Sequence, residues 1–241
     1  QVLGVRGAPH YLTPTGQRVG RPLPVAWIDI EDPDPADAER HPLAVFAEGY
    51  GGGGALFTRL EGCWYADGAI YFNATDGGDA HSGQVWQYRP LGSRQGQLGG
   101  STGQLILVFE SPSVEVLDSP DNLCVSPRGG IVLCEDGDAV QYIRGLTQRG
   151  EIFDLVQTNG ELPEFCGATF SPDGDVLFFN GSLVRPSASV SVIARPVSQL
   201  STFTRLMNHM AAARRLRRPV GPDGRQPDDP ERDEQQPRPE M

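Results

Sequence analysis

Carboxylates and amides stand beside short glycine turns at four places in this chain. They are Glu61 in Leu60-Glu-Gly-Cys-Trp; Asp118, Asp121 and Asn122 in Leu117-Asp-Ser-Pro-Asp-Asn-Leu; Glu135 and Asp136 in Leu133-Cys-Glu-Asp-Gly; and Glu164 in Glu164-Phe-Cys-Gly. Asp and Asn near turns commonly bond their own backbone, so Asp118, Asp121, Asn122 and Asp173 taken singly read as turn formers sooner than as ligands. Glu61 and Glu135 are not favoured turn residues. Each adjoins apolar strand residues, where an unpaired carboxylate is costly to bury, and this favours a ligand or catalytic role. Oxygen donors converging from several turns suit calcium, which takes six to eight oxygens. The histidines are His10, His41, His81 and His209, none paired at helical spacing, which argues against zinc hydrolase chemistry. Cys63, Cys124, Cys134 and Cys166 lack paired zinc-site spacing and read as buried free thiols. No G-x-S-x-G elbow or P-loop is present, and Ser119 and Thr75 read as turn hydroxyls. Chemistry here would come from metal ions clamping an oxyanion.

The elements that must position these groups share one grammar. Trp64 to Phe72, Val125 to Leu133 and Phe170 to Phe178 each read as strand, glycine turn, strand, and the second and third turns lie 45 residues apart, from Ser126 to Ser171. That period suits propeller blades. Glu61, Asn122 and Gly167 each fall seven residues before their turn glycines, Gly68, Gly129 and Gly174, so they occupy equivalent places in successive units. Further strands fit at Gln84 to Tyr88, Leu105 to Glu110, Ala139 to Ile143 and Glu151 to Val156. A β-sandwich also gives short strands and remains the alternative. The expected fold is all-β, a partial β-propeller of about three blades, short of the four to eight that close a ring. Residues 1–50 read as irregular except for a strand at Val25 to Ile28. An acidic, proline-broken loop follows at Glu31 to Asp37, and the run Gly51 to Gly54 lacks the spaced pattern of a dinucleotide loop.

The chain has 241 residues, 38% of them hydrophobic, and a formal net charge of -11, which argues against a nucleic-acid partner. No apolar run reaches the length of a membrane span, and Gln1 to Gly7 has neither the basic start nor the apolar stretch of an export signal. All 20 basic residues are Arg, a bias expected of GC-rich coding. Residues 1–182 are expected to form the propeller domain and residues 183–241 an Arg- and Pro-rich tail. Within that tail Ser187 to Val192 reads as a weak strand, Phe203 to Leu216 as a helix, and the remainder as disordered. A shifted reading frame is one account of the tail.

Several of these runs together are specific. Leu60 to Asn73, Gly83-Gln-Val-Trp-Gln-Tyr-Arg-Pro, Leu117 to Leu123, Leu133 to Gly137 and Gln141-Tyr-Ile-Arg-Gly-Leu resemble, in order, motifs of the PhoX family of bacterial alkaline phosphatases. The resemblance covers roughly residues 1–180. It implies a six-bladed propeller whose axial calcium and iron hydrolyse phosphomonoesters, in a periplasmic or extracellular protein. By position in the motifs, Glu61 and Glu135 are implied as the strongest metal ligands, with Asp118, Asp121, Asn122 and Glu164 as weaker ones and Arg144 as a phosphate contact. The family's iron-ligating thiolate has no counterpart among the four cysteines. The expectation is a fragment, inactive alone, that self-associates through open strand edges. A noncatalytic calcium-binding propeller module and a calcium-dependent propeller lactonase remain as alternatives.

Overall fold

The computed structural model describes residues 1–92, 101–158, 164–182 and 190–194. Residues Gln1–Ser201 form one compact unit. The expected helix at Phe203 to Leu216, the expected disorder and most of the expected tail domain lie outside the described residues. Among the described residues the structure is mostly β with one helix, in three antiparallel sheets.

The first sheet is built on a meander of β3 (Leu60–Ala66), β4 (Ala69–Ala74), β5 (Gln84–Pro90) and β6 (Thr102–Glu110). β2 (Pro22–Ile28) pairs with β6, and β1 (Val2–Val5) pairs with β2. The second is a meander of β7 (Pro120–Val125), β8 (Ile131–Glu135), β9 (Tyr142–Leu146) and β10 (Ile152–Gln157). The third runs β11 (Glu164–Phe170), β12 (Leu177–Ser182) and β13 (Val190–Ala194). β3 packs beside β7, and β7 beside β11, so the first strands of the three meanders are consecutive neighbours.

Glycine turns close the three leading hairpins as their sequences require. Gly68, Gly129 and Gly174 have φ of 74°, 93° and 72°, a region open to glycine at little cost. At the second and third turns the serine does the same work. Ser126 and Ser171 each accept the turn glycine's N–H at 2.8 Å, and Ser126 Oγ and Ser171 Oγ accept further backbone N–H groups at 3.1 Å and 2.9 Å. The period-2 alternation of β6 buries Leu105, Leu107 and Phe109. One core gathers Leu3, Val25, Trp86 and Leu105 within the first sheet; a second, of Val85, Leu123, Leu133 and Leu146, joins the first meander to the second.

Residues 1–50 differ from the irregular reading. Besides β2, which contains the expected strand, they hold β1 and the helix α1 (Ala44–Gly51). The glycine run hid the helix end: Gly52 and Gly53 donate to Glu48 and Tyr50 carbonyls at 2.9 Å, closing α1. β9 begins at Tyr142 rather than Ala139, because Gln141 is drawn into the preceding loop, where its amide holds Gly137 and Ala139. No helix of the described residues is long and apolar enough to cross a membrane.

Candidate functional site

Each leading strand carries a register shift at the repeat position singled out in the sequence. The shifts lie between Leu60 and Cys63 in β3, Pro120 and Asn122 in β7, and Cys166 and Thr169 in β11. A bulge leaves a residue unpaired and re-aims its side chain, so Glu61, Asp121 and Gly167 interrupt their ladders, while Asn122, next to Asp121, stays in register with Cys134. These positions also meet across strands. Asn122 Oδ1 accepts the Gly167 N–H at 3.2 Å, and Asn122 Nδ2 donates to Asp121 Oδ2 at 2.7 Å. A Cβ added to Gly62 would stand 2.7 Å from Leu123 N and 2.9 Å from the Asp121 carbonyl oxygen, so only glycine lets β3 approach β7 there.

The segment Asp118–Asn122 is fixed by buried neighbours. Ser119 adopts a φ of 50°, with its N–H bonded to the Ser82 carbonyl at 3.1 Å and its own carbonyl accepting the Asp136 N–H at 3.0 Å. The Pro120 carbonyl accepts bonds from Asn73 Nδ2 and, at 2.8 Å, from Thr75 Oγ1, both on or beside β4 and fully buried. Asn73 Oδ1 is buried with no hydrogen-bond partner among the described residues. It sits 2.5 Å from where a Gly62 Cβ would be.

The bulges and this fixed loop bring three carboxylates into mutual influence: Asp121, Asp136 and Glu164. The pKa of Glu164 is raised by partial burial and then by the charges of Asp136 and Asp121. Asp136 is raised by burial and by Asp121, Asp138 and Asp118, against a lowering pull from Arg59. Asp118 lies at the edge of this group, accepting a 3.0 Å bond from Ser119 Oγ and packed against Gly137. Such like-charge crowding is relieved by a cation.

Glu135 and Arg144 occupy a different environment. Glu135 is 1% exposed and accepts bonds from Arg144 Nε at 2.7 Å, Asp118 N at 3.1 Å and Tyr142 N at 3.0 Å. Burial lifts its pKa, and these contacts pull it back. Arg144 is itself desolvated, which lowers its pKa, but Glu135 and Asp154 more than restore it. Arg144 also ion-pairs with Asp154 and lies 3.8 Å above the Tyr142 ring. Glu135 and Arg144, which the sequence gives separate roles, are thus the two halves of one buried ion pair. Glu61 is exposed, 3.9 Å from Arg59, which pairs more closely with Asp76 at 3.0 Å.

Asp121, Asp136 and Glu164 offer the oxygen-only donors that suit a hard cation such as calcium. Their spacing does not close a coordination shell: among the described residues, no three His, Cys, Asp or Glu side chains are grouped so as to hold a metal ion. Cys124 and Cys134 are buried, with their pKa values raised chiefly by desolvation, Cys124 to about 12, which disfavours the thiolate a metal requires. Sequence reasoning named the acidic positions but missed the buried amide of Asn73 and the close approach at Gly62. The signal for both was the bulge position shared by the repeats.

No curated protein matches this sequence. The family model described as alkaline phosphatase PhoX matches residues 17–182. That span covers all three meanders up to the end of β12, and with it every acidic position described above, so the chain belongs to the alkaline phosphatase PhoX family.

Proposed function

We propose that this chain acts as a metal-dependent phosphomonoesterase, with its three meanders serving as successive blades of a β-propeller. The observation that carries the reading is the family match over residues 17–182. The neighbouring leading strands β3, β7 and β11 and their matched bulges support the blade arrangement, because they repeat one geometry around a common side.

In this reading Glu61, Asp121, Asn122 and Glu164, together with Asp136, would be the oxygen donors toward calcium and iron, although among the described residues no three carboxylates are grouped to hold an ion. Those cations, when bound, supply the positive charge that stabilises a phosphoryl group during transfer. Asp118 borders the donors. Glu135 and Arg144 act from behind as positioning residues: the carboxylate holds the Asp118 N–H, and the guanidinium holds the carboxylate. We place the protein in the periplasm or outside the cell, as the family implies.

Release of inorganic phosphate from phenyl phosphate at alkaline pH, with calcium and iron supplied, tests the reading. Release is the expected result. Calcium binding that raises the melting temperature with no phosphate released would favour a noncatalytic calcium-binding module instead.

A further inference from the structure

An open cleft of about 640 Å³ is lined by residues of α1, β1, β3 and β4 and contains, of the groups in the phosphatase reading, only Glu61. Its volume is within the range of roughly 300–1,000 Å³ found for small-ligand sites. Trp27, Phe46, Tyr50, Phe57, Phe72 and Tyr88 all line it, in a chain only 8% aromatic. Contacts between these rings set their orientation without a ligand. Trp27 Nε1 donates to the Tyr88 hydroxyl at 2.8 Å, and the two rings meet edge to face with centroids 5.5 Å apart. Phe57 meets Phe72 in the same way, also at 5.5 Å, and Phe46 stacks on Tyr50 along α1 at 5.9 Å. Such rings offer a ligand carbon surface and, on their faces, the negative pole of the π quadrupole.

The charge at this cleft comes from the β3 bulge. A regular strand alternates its faces, but the shift between Leu60 and Cys63 lets neighbouring Leu60 and Glu61 both line the cleft. Glu61 is the only charged side chain among the described lining residues. Its one cationic neighbour is shared: Arg59 Nε lies 3.9 Å from Glu61, while Arg59 Nη1 pairs with Asp76 at 3.0 Å. One guanidinium against two carboxylates leaves this end of the cleft with net negative charge, and the formal charge of -11 on the whole chain adds to the attraction for cations.

We infer that this cleft binds a small organic cation, a substituted ammonium with an apolar or aromatic body, its charge beside Glu61 and its body against the rings. An anion would meet a carboxylate and the negative faces of the rings. A neutral apolar molecule would gain the carbon contact but leave the charge unused. An alkylated ammonium matches both, because its methyl groups carry the positive charge onto aromatic surface at a smaller desolvation cost than a bare ammonium. The inference uses no metal ion and stands independently of the phosphatase reading.

Calorimetric binding to the full chain tests it, with phenyltrimethylammonium as the probe and tert-butylbenzene, which has the same shape without the charge, as its comparison. Glu61 is also among the donors proposed for calcium, so both titrations are run with a chelator present. The ammonium is expected to bind about tenfold tighter than its neutral isostere. Glu61→Gln, at an exposed position, should weaken the ammonium several-fold and leave tert-butylbenzene unchanged, whereas Phe46→Ala, which removes an exposed ring, should weaken both. No binding of the ammonium, or an isostere that binds as tightly, overturns the proposal. Ammonium binding that neither variant changes places the site elsewhere and overturns it equally.

Discussion

Asn122 Oδ1 accepts the backbone N–H of Gly167 at 3.2 Å, joining two positions that stand at the same place in successive sequence repeats. The bond ties the bulge of β7 to the bulge of β11, and the same asparagine holds Asp121 through its amide nitrogen. Asn122→Ala removes both contacts. A loss of about 1 kcal/mol in denaturant unfolding is expected, the usual worth of such bonds, with faster hydrogen exchange at the Gly167 amide. Unchanged exchange at Gly167 would mean that the bond does not link the strands.

Gly62→Ala probes the other side of β7. The new methyl would meet Leu123 N at 2.7 Å and the Asp121 carbonyl at 2.9 Å, and backbone atoms cannot swing aside as a side chain can. The expected cost is about 1–3 kcal/mol in a chemical melt, as for other overpacked sites. A variant as stable as the parent would show that β3 and β7 are not held at this separation.

These two contacts show what the sequence made legible. Turn glycines at Gly68, Gly129 and Gly174 announced the hairpins because positive φ has a residue signature, and counting back seven residues reached unpaired Glu61 and Gly167 and, in β7, Asn122 beside unpaired Asp121. Helix α1 left no comparable mark: its eight residues end in a glycine run, and it has no side-chain cap. The partners of Glu135 were equally hidden. An Arg nine positions away on an adjacent strand is brought to it by the pairing of β8 with β9, which composition and motif do not reveal. The acidic cluster was legible residue by residue, but the mutual influence of Asp121, Asp136 and Glu164 depends on how β7, β8 and β11 pack.

The Glu135–Arg144 pair should behave as a unit. Glu135→Gln leaves a buried guanidinium with only exposed Asp154 as its ionic partner, and Arg144→Met leaves a buried carboxylate unpaired. Each single change is expected to cost about 3–5 kcal/mol, and the double variant clearly less than their sum. Additive losses in a double-mutant cycle would contradict the pairing.

Alkaline conditions should weaken the fold through its thiols. Burial raises the pKa of Cys124 to about 12 and raises that of Cys134 as well, whereas unfolded thiols ionise near about 8.5. Protons stay on the folded thiols while the unfolded chain releases them. The stabilisation is therefore complete below about pH 8 and is lost as pH rises toward the folded value, at up to about 1.4 kcal/mol per pH unit for each thiol. Unfolding free energies measured from pH 7 to pH 11 should fall along this course, and Cys124→Ala should flatten the slope. An identical slope in that variant would assign the loss to other groups.

The decisive measurement is the rate of 4-nitrophenyl phosphate hydrolysis at alkaline pH, with calcium and iron supplied, for the parent chain and for Asp121→Asn/Glu164→Gln. These substitutions keep the side-chain volumes and remove two crowded charges. Metal-dependent turnover is expected in the parent, abolished by a chelator, with a loss of about a hundredfold or more in the variant at unchanged stability. Turnover that survives both the chelator and the paired substitution would contradict the metal-dependent reading.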